Sequence, residues 1–114
     1  MRRNACITLV AFACSLAFAS NSLTAGMKRP AWLPKLDWAV GMCETRLNWR
    51  HNNSSYEGAF GFSKLAWRQY RYRWMPAHAW QATPWQQYQV IRRIGLGGNG
   101  CYIHGGYRYW MARA

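Results

Sequence analysis

The chain has 114 residues, with 15 Lys and Arg against three acidic residues, and a formal net charge of +12. That length holds one domain at most, and any acid–base chemistry by carboxylates has only Asp37, Glu44 and Glu57 to draw on. The basic balance implies a polyanion or an anionic surface as partner, although eight Trp and seven Tyr also call for solubilising charge.

The first 19 residues read as a secretory signal peptide. Arg2 and Arg3 form a basic start, Ile7 to Phe18 is an apolar run, and Ala17-Phe18-Ala19 offers small residues for cleavage. The run is short for a membrane span, and an uncleaved anchor or buried helix is the competing reading. Cleavage after Ala19 takes 19 from 114 residues and leaves 95, with a net charge of +10 once Arg2 and Arg3 are gone. Cys6 and Cys14 leave with the signal. Cys43 and Cys101 remain, and an exported pair is expected to be oxidised. Such a disulfide closes a loop of roughly 60 residues and contributes roughly 4 kcal/mol in the chain-entropy model. Two thiols without paired ligand spacing make a weak metal site.

Residues 20–35, with Gly26, Pro30 and Pro34, read as a linker. Leu36 to Thr45 has helical character, with Leu36, Val40 and Cys43 on one face beside Ala39. Asp37 suits the positive end of that helix. Glu44 falls in its last turn, where the dipole disfavours negative charge, so stability alone does not explain it. Asn48 to Ser55 is a polar loop. Tyr56 to Ser63 alternates aromatic with small or polar residues and predicts a short strand or hairpin. Glu57 points opposite to Tyr56 and Gly58 along a strand, and the alternation does not say which set faces Glu44. Ser63 is a candidate N-cap for a helix to about Arg73, with Leu65 or Ala66 and Tyr70 inward. Thr83-Pro84-Trp85-Gln86 predicts a capping box, followed by a buried face of Trp85, Tyr88, Ile91 and Ile94. Gly95 to Gly100 is a loop that delivers Cys101. Residues 102–114 read as a basic aromatic tail.

A helix-terminal glutamate, a polar loop, a glycine-aromatic hairpin and an aromatic helix have a use in sequence. A glycosidic bond breaks when its leaving oxygen is protonated. A carboxylic acid supplies that proton when apolar surroundings and a helix C-terminus hold the proton on it. Met42, Leu47 and Trp49 are apolar neighbours of Glu44, and Tyr and Trp faces stack on sugar rings. Other motifs carry less. His51, His78 and His104 lack metal-ligand spacing. Gly95 to Gly100 has no Gly-Lys-Ser/Thr sequel of a phosphate loop. Arg68, Arg71 and Arg73 interleave with Trp67, Tyr70, Tyr72 and Trp74 as in nucleic-acid binders, but export favours an anionic wall polymer.

Cys43-Glu44, then Asn48-Trp49, then Tyr56-Glu57-Gly58-Ala59-Phe60-Gly61-Phe62-Ser63 and Trp67 resemble the transglycosylase-like domain of the resuscitation-promoting factors. Their pattern runs Cys-Glu-Ser-Gly-Gly-Asn-Trp, Tyr-x-Gly-Gly-Leu-Gln-Phe-Ser and Thr-Trp. Pro76-Ala77-His78 and the helix bearing Gln87 resemble the later segments of that family, and Cys101 matches its second cysteine. The resemblance covers about Leu36 to Cys101. It implies a small lysozyme-like α+β fold, mainly helical with a short β-hairpin and one disulfide, and residues 36–101 as the catalytic domain. Thr45-Arg46-Leu47 departs from Ser-Gly-Gly, and Gly61 stands where many members have Gln.

The expected function is cleavage of the β-1,4 bond between N-acetylmuramic acid and N-acetylglucosamine, by a secreted lytic transglycosylase or muramidase of the cell wall. Glu44 is the expected catalytic acid, and Trp49, Tyr56, Glu57, Gly58, Phe62 and Trp67 the expected substrate-binding residues. No cofactor or metal is expected. The partner is the peptidoglycan glycan strand rather than nucleic acid, met by a monomer with at most peripheral contact to an anionic wall or membrane surface. A non-catalytic peptidoglycan-binding or signalling module of the same fold is the alternative, and a cationic membrane-active protein the third.

Overall fold

The computed structural model describes residues 28–114, so the expected signal peptide and most of the expected linker lie outside the described residues. The elements are α1 (Lys35–Thr45), β1 (Tyr56–Glu57), β2 (Phe62–Ser63), α2 (Lys64–Tyr70), a 3-10 turn (Ala79–Gln81), α3 (Pro84–Ile94), α4 (Gly100–Ile103) and α5 (Tyr107–Met111). The architecture is mixed: helices around one small antiparallel hairpin, with Cys43 joined to Cys101.

Helix α1 is the centre of the packing. Its residues Trp38, Ala39, Val40, Gly41 and Met42 are all buried, which a single apolar stripe cannot produce. The expected face of Leu36, Val40 and Cys43 is therefore too narrow. The reason lies at the other end of the chain. Residues 102–114, the basic aromatic tail, fold onto the domain: α5 packs along α1, and Trp110 meets Trp38 edge to face at 6.1 Å between ring centroids. The segment before α1 also joins the core, with Leu33 fully buried and Trp32 against Trp49, Trp85 and Tyr88.

Helix α1 ends in a costly turn. Arg46 and Leu47 both sit in the left-handed region, at φ 59° and 57°, a placement that costs about 1 kcal/mol or more for each residue with a side chain. Packing offsets it. Leu47 rests on Gly41, where an added Cβ would lie 2.6 Å from the leucine methyl. The Arg46 guanidinium lies over the Trp110 ring, 4.7 Å from its centroid.

In the hairpin Tyr56 pairs with Ser63 and Glu57 with Phe62, leaving Gly58 to Gly61 as the turn. Ser63 caps α2 by accepting from the Ala66 N–H at 3.0 Å. Helix α2 stops at Tyr70, earlier than the sequence implied, and Arg71 leaves in an extended conformation. Its buried anchor is Trp67, whose indole N–H reaches the Pro76 carbonyl at 3.0 Å, while Leu65 is exposed. Helix α3 has the expected capping box at Thr83 and Gln86. Its buried face is Gln87, Tyr88, Val90 and Ile91; Trp85, expected inside, is half-exposed beside Trp32.

Gln87 is the polar centre of the core, with no exposure. Its Oε1 accepts from the Ala59 N–H of the hairpin turn at 2.9 Å. Its Nε2 donates to the carbonyls of Ala79 at 2.7 Å, Trp49 at 2.8 Å and Ala82 at 3.2 Å. Replacing Gln87 by Ala orphans buried groups on three segments, each costing about 1–3 kcal/mol. The expected outcome in urea denaturation is a loss of about 3 kcal/mol or more, well above that of an exposed control such as Gln69→Ala.

Candidate active site

The three carboxylates have three different surroundings. Asp37 sits in the first turn of α1, and burial pushes its carboxyl up from the ordinary value, against the opposing effects of a backbone N–H and of Arg92. Glu57 is buried beneath the hairpin. Its Oε1 meets His78 Nδ1 at 2.9 Å and its Oε2 accepts from the Ala79 N–H at 3.0 Å. Both oxygens are thus engaged in holding the hairpin to the 3-10 turn. Glu44 stands at the end of α1, where its Oε1 accepts from the Cys101 N–H at 3.2 Å.

Glu44 opens into a cleft of about 240 Å³ lined also by Tyr56, Gly61, Gly98, Asn99 and Gly100. The floor of this cleft is glycine for two reasons. Gly61 has φ 64°, and a Cβ there would stand 3.0 Å from Glu44 Oε2. An apolar slot of about 200 Å³, lined by Phe60, Phe62, Ala66, Ile91, Ile94 and Gly95, shares Gly61, Gly98 and Asn99 with the cleft. The two form one groove with a polar end at Glu44 and an apolar end between α2 and α3.

The groove walls are pinned from both sides. Thr45, next to Glu44, donates its hydroxyl to the Ala59 carbonyl at 2.7 Å and accepts from the Asn48 N–H at 3.0 Å. Asn99 donates to the Phe60 carbonyl at 3.3 Å, and its side-chain oxygen caps α4 at the Tyr102 N–H, 3.1 Å away. The disulfide, with Cα atoms 6.0 Å apart, ties the end of α1 to α4. Helix, hairpin turn and glycine loop are therefore held around one carboxylate, which can exchange a proton with a group lodged in the groove.

The expected site residues divide. Tyr56 is exposed at the cleft beside Glu44, and Phe62 borders the apolar slot. Glu57 points away from the cleft, as strand alternation requires once Tyr56 faces it. Gly58 is buried against Gln87, 2.6 Å from where its Cβ would be. Trp67 is fully buried core. Trp49 packs edge to face on Phe60 and lines a separate cavity of about 310 Å³ with Arg50 and Trp80. Asn99 and its flanking glycines are groove residues that the sequence reading does not single out, although Asn before Gly100-Cys101 is an N-cap signal. Among the described residues no group of three or more His, Cys, Asp or Glu is placed to hold a metal ion, and no helix is long and apolar enough to cross a membrane. Compared with known protein families, characterised proteins and solved structures, the chain has no significant match.

Gly61→Ala is expected to lower stability by about 1–2 kcal/mol, from the left-handed backbone alone, and to displace the Glu44 carboxylate. Denaturation and the carboxyl carbon shift of Glu44 in NMR measure the two effects, and an unmoved shift would contradict the contact. For Asp37 the raised value makes the folded state hold its proton longer than the unfolded state, so this group's contribution falls as pH rises from the ordinary value of 3.8 through the raised one. Asp37→Asn should therefore gain stability relative to the parent across that window and keep a constant difference above it, as pH-resolved melting would record.

Proposed function

We propose that this chain is a wall-acting glycosidase that cleaves the β-1,4 bond between N-acetylmuramic acid and N-acetylglucosamine, with Glu44 as its acid. The single observation that carries the reading is a lone carboxylate in an open groove: Glu57, the other acid near the hairpin, has both oxygens committed to His78 and Ala79. A second support comes from the turn after the acid. Arg46 and Leu47 hold left-handed backbone at the two positions where the resuscitation-promoting factor pattern has glycines, the residues that tolerate it. A mixed helix-and-hairpin fold with the Cys43–Cys101 disulfide agrees with the lysozyme-like arrangement that the resemblance implies.

Protonated Glu44 gives its proton to the glycosidic oxygen as the bond to the anomeric carbon breaks. The Cys101 N–H fixes which carboxylate oxygen faces the protein. The Glu44 carboxylate then removes a proton from the 6-hydroxyl of the same muramic acid ring. That oxygen attacks the anomeric carbon, closing an anhydro ring and returning the proton to Glu44. No second carboxylate is needed, whereas hydrolysis through a covalent or water-activated route needs one about 5 to 9 Å from the acid. The lone acid thus favours transglycosylation over the muramidase reaction. Export to the wall, read from the first 19 residues, belongs to the same proposal.

Glu44→Gln is expected to slow solubilisation of purified wall by about 10²–10⁴-fold, the usual weight of a general acid, with the fold unchanged. Mass analysis of the parent's products is expected to show anhydro ends, lighter by one water than reducing ends. Equal solubilisation by parent and variant would remove Glu44 from the chemistry. Wall binding without cleavage by either would point to a non-catalytic module.

A further inference from the structure

A cavity of about 340 Å³, larger than the cleft at Glu44, lies between Tyr72, Gln89, Arg92 and Arg93. Arg92 and Arg93 are consecutive in the last turn of α3, yet both line it. Converging like charges on one concavity disfavours the folded state; Arg93 is held there by donating to the Tyr70 carbonyl at 2.8 Å, and Arg92 by the Tyr88 face. Among the described residues no Lys or Arg is paired with a carboxylate, the only such contact being that of His78 with Glu57. The acid that Arg92 acts on is Asp37, whose carboxyl is pushed up from its ordinary value by burial and drawn back down by Arg92. The rim is rigid. Arg71 braces the loop beside it by donating to the carbonyls of Met75 at 2.8 Å and Arg73 at 3.2 Å. The Arg93 guanidinium lies 4.4 Å from the Tyr72 ring centroid, and Tyr72 stacks on Trp74 within 10° of parallel. Trp74 is left two-thirds exposed as the outer step of that ladder.

We infer that this is a second binding site, for a phosphodiester-linked glycopolymer: the guanidiniums of Arg92 and Arg93 take phosphate oxygens, and the Trp74 face takes a sugar ring. The preference for phosphate rests on arginine, whose planar fork pairs with it through two parallel N–H groups. Gln89, Arg92 and Arg93 leave α3 on the side opposite Ile91 and Ile94, which line the groove slot. The site therefore anchors the protein from behind while the groove stays open. The choice of a glycopolymer rests on the wall-acting reading; binding is measured without turnover, so the two stand or fall separately.

The test uses the full chain carrying Glu44→Gln, titrated by calorimetry with a glycosylated polyol-phosphate polymer. Arg92→Gln with Arg93→Gln is expected to weaken binding at least about tenfold, and Trp74→Ala, which alters only an exposed face, by about fivefold. Arg108→Gln with Arg113→Gln removes the same charge elsewhere and is expected to change binding less than about twofold. Equal losses in the two arginine pairs would overturn the site in favour of bulk charge. Unchanged binding in Trp74→Ala would overturn the sugar contact. Tighter binding of a single-stranded oligonucleotide than of the polymer would overturn the assignment of the ligand. Melting of each variant confirms that the fold is kept, and Trp74→Ala decides the matter should the Arg93 change unfold the Tyr70 contact.

Discussion

Four carbonyl and amide groups from separate parts of the chain converge on the Gln87 side chain, and the groove depends on that convergence. A buried amide must be satisfied on both its ends. Here the oxygen is met by the hairpin turn and the nitrogen by the loop after α1 and by both ends of the 3-10 turn. The hairpin itself has only two paired residues in each strand, too few to stand alone. It is stable because Gln87 grips its turn, Glu57 grips its outer neighbour and Thr45 grips its Ala59 carbonyl. Side-chain hydrogen bonds thus do for this sheet what additional strands do for larger ones.

Charge scarcity shapes the rest. In a chain with three acids, cations must find other partners. Arg46, Arg92, Arg93, Arg108 and Arg113 each lie against an aromatic face, of Trp110, Tyr88, Tyr72, Tyr107 and Tyr109. The electron-rich ring face replaces the carboxylate, which explains how a small domain carries so many Trp and Tyr residues without a correspondingly large core. Among the described residues, it also leaves Glu44 with no guanidinium close enough to pair with it.

The parts legible in the sequence were those fixed by local chemistry. The capping box at Thr83 and Gln86, the Ser63 cap and the short hairpin within Tyr56 to Ser63 are each decided within a few residues. The pairing of Cys43 with Cys101 followed from counting. What could not be read were contacts set by distant segments. Nothing near Trp110 shows that it covers Trp38, and so the helical character of the last residues was hidden. Glu57 has a polar partner in His78, 21 residues away, that no period reveals. Trp85 fits the spacing of a buried face but stands at the helix's first turn, where Trp32 covers it only in part. The groove position of Asn99 was hidden in a run of glycines, because its value there comes from reaching Phe60 across the groove.

The turn at Arg46 and Leu47 gives the last helix a meaning beyond packing. A glycine turn keeps its shape without help, whereas a turn of Arg and Leu draws on Gly41 and Trp110 to hold the two side chains. The docking of α5 thereby bears on the turn that follows Glu44, two residues before Arg46. The far end of the chain acts as a clasp: its Trp110 holds Arg46 beside the acid, so the last helix supports the groove as well as the core.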